Sequence, residues 1–136
     1  MKASELRINN WYKNMSIDNP FNQIKYGHDI DYVAVYCEPI PLTEEWLLKF
    51  GFNKIVYDSE ETGYSVEYNL EVNKDIFISY LDDFSCAIFA SEERRSKDFG
   101  VLPKWEAIRY VHQLQNLYFA LIGEELKLKE DESKTD

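Results

Sequence analysis

The stretch "GYSVEYNLEVN", Gly63 to Asn73, sets Tyr64, Val66, Tyr68, Leu70 and Val72 against Ser65, Glu67, Asn69, Glu71 and Asn73. Apolar and polar positions alternate with a period of two from end to end. That pattern predicts a strand with one face on the core and the other in water, and half-wetted strands belong to antiparallel sheets. On the N-terminal side, "KIVYD" (54–58) offers a second strand that reaches the first across the loop "SEETG". On the C-terminal side, Asn73-Lys74-Asp75 turns the chain into "IFISYL", and Asp82-Asp83 turns it again into "FSCAIFA". Those two runs are apolar on both faces, which predicts central strands. The sum is a meander of about four strands, in which Glu67 and Glu71 share the wet face.

Two helices complete an α+β fold: a mostly antiparallel sheet, both helices on one face, and a small β-rich N-terminal segment. In "EPIPLTEEWLLKFGF" (38–52), Thr43 is a helix cap, and Glu44 and Glu45 suit the positive N-terminal end. Trp46, Leu47 and Phe50 form one face. Gly51 is the left-handed stop, and Phe52 can fold back on the last turn. The second helix is "YVHQLQNLYFALIG", Tyr110 to Gly123, which carries no charge when His112 is neutral. At about 100° per residue its apolar side chains span an arc of roughly 200°. His112, Gln113, Asn116 and Ala120 fill the other side, while Gln115 falls inside the apolar arc.

Uncharged polar groups on an otherwise apolar helix have two explanations. Either the helix lies deep against the sheet, covered elsewhere by the N-terminal segment, and Gln115 bonds exposed backbone at a sheet edge or loop, or the face docks a partner. An unpaired buried amide costs on the order of 1–3 kcal/mol, which favours the first. Charge depletion at interface centres favours the second, with Tyr110, His112, Gln113, Gln115 and Asn116 as the binding residues.

Elsewhere the signals are weaker. "ELRINNWYKN" (5–14) reads as a short strand, a bend and extended chain, and residues 14–23 are turn formers around Pro20. "DYVAVYCE" (31–38) alternates and predicts a strand over 32–37. "WEAIRY" (105–110) fits a strand better than the first turns of the last helix, because its residues alternate without helical phasing; "EELKLK" (124–129) predicts a short edge strand, and residues 130–136 a solvated acidic tail. Residues 1–129 form a single domain on this reading, with 1–38 a candidate β subdomain.

With 136 residues, 45% of them hydrophobic, the chain can bury a core without metals or disulfides. Its net charge of −10 repels phosphate backbones, which excludes nonspecific nucleic-acid binding. Cys37 and Cys86 belong to no CxxC pair and read as buried thiols of a reducing compartment, hence a cytoplasmic protein. The N-terminus lacks the apolar core of a signal peptide, and no run is long enough to span a membrane. Phosphate-binding loops, dinucleotide fingerprints, nucleophile elbows and zinc-protease motifs are all missing, so no catalytic residue, metal or cofactor is assigned. His28, Asp29 and Asp31 would face one way on a strand and offer three ligands, but polar turns often look like this.

The blocks "EPIPLTEEWLLKFGF" and "YVHQLQNLYFALIGEEL", with the opening "ELRINNWY", resemble a family of small uncharacterised proteins of Bacteroidota and their phages or prophages. The resemblance implies an intracellular, mobile-element origin and no assigned activity. Members often have Gly where this chain has Asn9 and Thr where it has Ile122, so Asn9 stands against a tight glycine turn after the first strand. The function expected is a non-enzymatic accessory protein acting through protein contacts, as a homodimer or with another partner. A small-molecule binder or enzyme with a pocket near the last helix, and a minor virion component, are the alternatives.

Overall fold

The computed structural model describes residues 1–15, 18, 20–61, 63–72, 76–81, 86–89, 100–101 and 108–129. The architecture is α+β with antiparallel sheets. Contacts divide the chain into two compact units, one of Met1–Thr43 with Arg109–Lys127, the other of Glu44–Ile108 with Leu128–Asp136.

The first unit joins the N-terminal segment to the stretch Arg109–Lys127. Ala3–Glu5 form a 3-10 turn, and Trp11–Lys13 (β1) pairs antiparallel with Phe21–Gln23 (β2), Tyr12 opposite Asn22. Asn9 makes the bend ahead of β1 with φ of 78°, in the left-handed region, so such a bend is present at the position where asparagine stood against a glycine turn. Asparagine tolerates that region better than most residues. A second 3-10 turn, Gly27–Asp29, leads into Ile30–Tyr36 (α1).

The strand expected over 32–37 is therefore a helix. Every residue from Ile30 to Cys37 except Asp31 is apolar, so alternation could not discriminate. The spacing that decides is Ile30, Val33, Ala34 and Cys37, a helical stripe that packs with Leu6 and Ile24 in a small core joined by Met1 and Tyr12. Packing outweighs the strand preference of valine and tyrosine here. Cys37, free and buried, caps that helix instead of lying in a strand. Burial pushes its thiol up.

After α1 the chain runs extended, with Lys13 bridged to Glu38 and Pro41 to Tyr110. The Leu42 N–H donates to Arg109 O and the Val111 N–H to Ile40 O, both at 2.9 Å. The helix Val111–Ile122 (α3) follows and stops at Gly123, with φ of 80° and its N–H on Phe119 O. It is grouped with the N-terminal segment, and its polar contacts run there. Of "WEAIRY", positions 105–107 lie outside the described residues, and Tyr110 is in an extended bridge. "EELKLK" adds no strand: residues 124–128 are irregular.

The second unit opens with Glu44–Lys49 (α2). Gly51, with φ of 98°, ends it; the Phe52 N–H reaches back to Leu47 O and the Gly51 N–H to Leu48 O, both at 3.0 Å. This paired closure uses the carbonyls that a helix end would leave unpaired. Then come Asn53–Ser59 (β3), Gly63–Glu71 (β4), Phe77–Leu81 (β5), Cys86–Phe89 (β6) and Gly100–Val101 (β7), hydrogen-bonded in that order, all antiparallel. The expected meander is present with one more short strand. Glu44 accepts from Lys54 Nζ at 2.7 Å and Tyr68 Oη at 3.1 Å, which ties α2 to the face carrying Lys54 and Tyr68. In β5, Phe77, Ile78, Ser79 and Tyr80 are all buried, as expected of a central strand shielded on both faces. The expected turns at 73–75 and 82–83 lie outside the described residues.

Burial along β4 differs from its alternation. Glu67 and Asn69, assigned to the wet face, are 8% and 7% exposed, while Tyr64 is 67% exposed. The register explains the burial of a carboxylate. Asn69 stands opposite Ser79 and Glu67 two residues along, so the Ser79 hydroxyl reaches Glu67 Oε1, and Tyr57 Oη donates to Oε2 at 2.7 Å. A carboxylate can leave water when hydrogen bonds replace its hydration.

Candidate functional site

Three groups of side chains carry polar or exposed aromatic chemistry, and the first is the polar side of α3. Gln115 is fully buried. Its carboxamide accepts from the Trp11 N–H at 2.9 Å and donates to Asn9 O at 2.8 Å. One amide thus imitates a neighbouring strand at the start of β1. Asn116, one residue on, accepts from Arg7 Nε at 2.8 Å and from Asn10 Nδ2 at 2.9 Å, and donates to Glu5 O at 2.7 Å. Arg7 extends the network with Nη1 on Glu125 at 2.6 Å, and its guanidinium lies 4.4 Å from the Phe119 ring centre. Gln113 folds back to accept from the Arg109 and Tyr110 N–H groups at 2.8 and 3.0 Å, closing the first turn of the helix.

His112 differs. It is 1% exposed, neither ring nitrogen has a partner, and its ring stacks on Tyr110 at 5.9 Å. Burial holds its pKa below 6.5, only partly opposed by Glu5. At neutral pH the ring is an uncharged, buried body. Of the five candidate binding residues, Gln113, Gln115 and Asn116 have their amides engaged within the chain, and His112 and Tyr110 form a stacked pair.

The second group lies on α1. Val33 is the one residue of this helix that is buried, whereas Tyr32, Val35 and Tyr36 are 54%, 71% and 71% exposed. The Tyr32 and Tyr36 rings sit 5.0 Å apart, and just upstream the Tyr26 and His28 rings stack at 5.3 Å. Exposed aromatic groups side by side are the less usual observation on a surface; single ones are ordinary. The sequence hid this patch because the segment reads as a strand, in which half of these residues would turn inward.

The same change removes the basis for a metal site at His28, Asp29 and Asp31. On a 3-10 turn leading into a helix they no longer alternate along a strand, and His28 Nε2 pairs with Asp29 at 3.4 Å. Among the described residues no group of three His, Cys, Asp or Glu side chains is placed to hold a metal ion.

The third group lies on the sheet: buried Glu67, Ser79 and Asn69, whose Nδ2 has no partner, with the exposed Tyr57 donating to Glu67. The alternation of β4 gave no warning of it, since the same polar residues serve equally on a wet face. No described helix is long and apolar enough to cross a membrane. The geometry defines an α+β protein whose last helix is fastened by amides and whose α1 helix presents aromatic rings to solvent. Compared with protein-family models, curated proteins and solved structures, the chain matches none.

Proposed function

We propose that this chain is a non-enzymatic interaction protein of a cytoplasmic, mobile-element setting, and that it docks its partner through α1. The observation that carries this reading is the solvent-facing row Tyr32, Val35 and Tyr36 on a helix with one buried residue. Tyrosine combines large contact area with a polar end, which suits a surface that must be stable alone and sticky to a partner. The α3 face is a weaker docking candidate, because its amides already serve the N-terminal segment. The resemblance of the "PIPLTEEWLLKFGF" and "YVHQLQNLYFALIGEEL" blocks to phage and prophage proteins supports the setting. The free, buried Cys37 is compatible with it.

Replacing Tyr32, Val35 and Tyr36 together by serine tests the reading. The variant should keep its fold and lose the proteins that co-purify with the wild-type chain in its native cells. Retention of the full set would contradict docking through α1.

A further inference from the structure

The composition of the α1 surface also bears on what the partner is made of. Taking about 100° per residue from Asp29, the outward arc runs Asp31, Val35, Tyr32, Tyr36, Asp29. Ile30, Val33 and Ala34 occupy the opposite arc and meet the core. An aromatic and aliphatic stripe is therefore edged by a carboxylate on each side. Neither acid caps the helix: the Asp29 side chain makes no capping bond, and its contact is the exposed pair with His28. Glu38 follows just beyond the helix and is exposed, with Lys25 the nearby exposed cation in sequence.

We propose, building on the docking role of α1, that this stripe takes a basic, arginine-bearing protein segment. Tyrosine faces attract a guanidinium, which can stack on a ring while it bonds a carboxylate at the stripe's edge. The chain already shows this contact internally, with Arg7 stacked on Phe119 and paired with Glu125. The net charge of −10 favours a cationic partner over nucleic acid or an anionic membrane. It also disfavours a second copy, which would set Asp29 and Asp31 against acids of like sign.

The test uses the full chain, with the Tyr32 and Tyr36 ring signals followed by NMR during titration with a short peptide of alternating arginine and glycine. Saturable shifts at both rings are expected. An equivalent glutamate–glycine peptide should give none. Asp29→Asn with Asp31→Asn should weaken binding by about tenfold, as should Tyr32→Leu with Tyr36→Leu, which retains apolar area but removes the ring faces. Absent shifts with the arginine peptide, or equal affinity in both double variants, would overturn the proposal. If the peptide fails while the serine variant still loses its native partner, the partner chemistry is wrong and α1 docking stands. If the serine variant keeps its partners, docking itself is wrong.

Discussion

Helices α3 and α1 of the first unit dispose of their side chains in opposite ways. On α3, neutral polar groups that a surface helix would show to water are turned onto the N-terminal segment: Gln115 on Asn9 and Trp11, Asn116 on Glu5, Arg7 and Asn10. On α1, tyrosines and a valine that a core would take up are left in water. An amide is an efficient internal fastener because it carries donor and acceptor together and needs no countercharge, so it satisfies backbone groups that a methyl group cannot. An exposed ring gains nothing from the fold and gains much from a partner. Polarity alone does not tell which side of a helix faces out; what the neighbouring backbone lacks does.

The largest test of this contrast is Gln115→Ala. It removes the acceptor of the Trp11 N–H and opens space in a fully buried site, and should cost about 3 kcal/mol in chemical denaturation. Gln115→Leu should also destabilise; a clear gain would mean that the amide was not needed by the fold. Arg7→Ala comes next, at about 2 kcal/mol, because it strips charge-assisted bonds from Glu125 and Asn116 at once.

A pH series separates His112 from its amide neighbours. Its folded pKa lies below the ordinary 6.5, so above that pH both folded and unfolded chains hold a neutral ring and nothing changes. Below it, the unfolded chain takes up the proton first, and stability falls with pH until the folded-state pKa is reached. The slope is bounded by one proton, about 1.4 kcal/mol per pH unit. In His112→Leu this contribution should vanish, with stability at pH 7 held or raised, since the ring nitrogens have no bonds to lose. The smallest stability effect belongs to α1: serine at Tyr32, Val35 and Tyr36 should shift the denaturation midpoint little, about 0.5 kcal/mol or less per site. A large loss would mean that α1 is part of the core and not a docking surface.

Much of the second unit was readable in advance. β3, β4, β5 and β6 lie where alternation and apolar runs place them, and α2 ends at Gly51 with Phe52 folded back, because those signals are local. What could not be read were features set by neighbours distant in sequence. The α1 segment has apolar residues at nearly every position, so only its packing with Leu6 and Ile24 chooses helix over strand. The burial of Glu67 depends on Ser79 and Tyr57 arriving from adjacent strands. At α3, the odd polarity of Gln115 was visible in the wheel, and bonding to exposed backbone at a sheet edge or loop was one of two accounts. Asn9 O and Trp11 N–H as the particular partners were not visible, since they sit more than a hundred residues away.

Amide hydrogen exchange at Trp11, compared between the wild-type chain and Gln115→Ala, tests the fastening of α3 most directly. If the Gln115 side chain holds the start of β1, the Trp11 amide exchanges slowly in the wild type, and its protection falls at least about tenfold in the variant, beyond the loss at β2 amides. Equal protection in both proteins, or a Trp11 amide already unprotected in the wild type, would contradict the account.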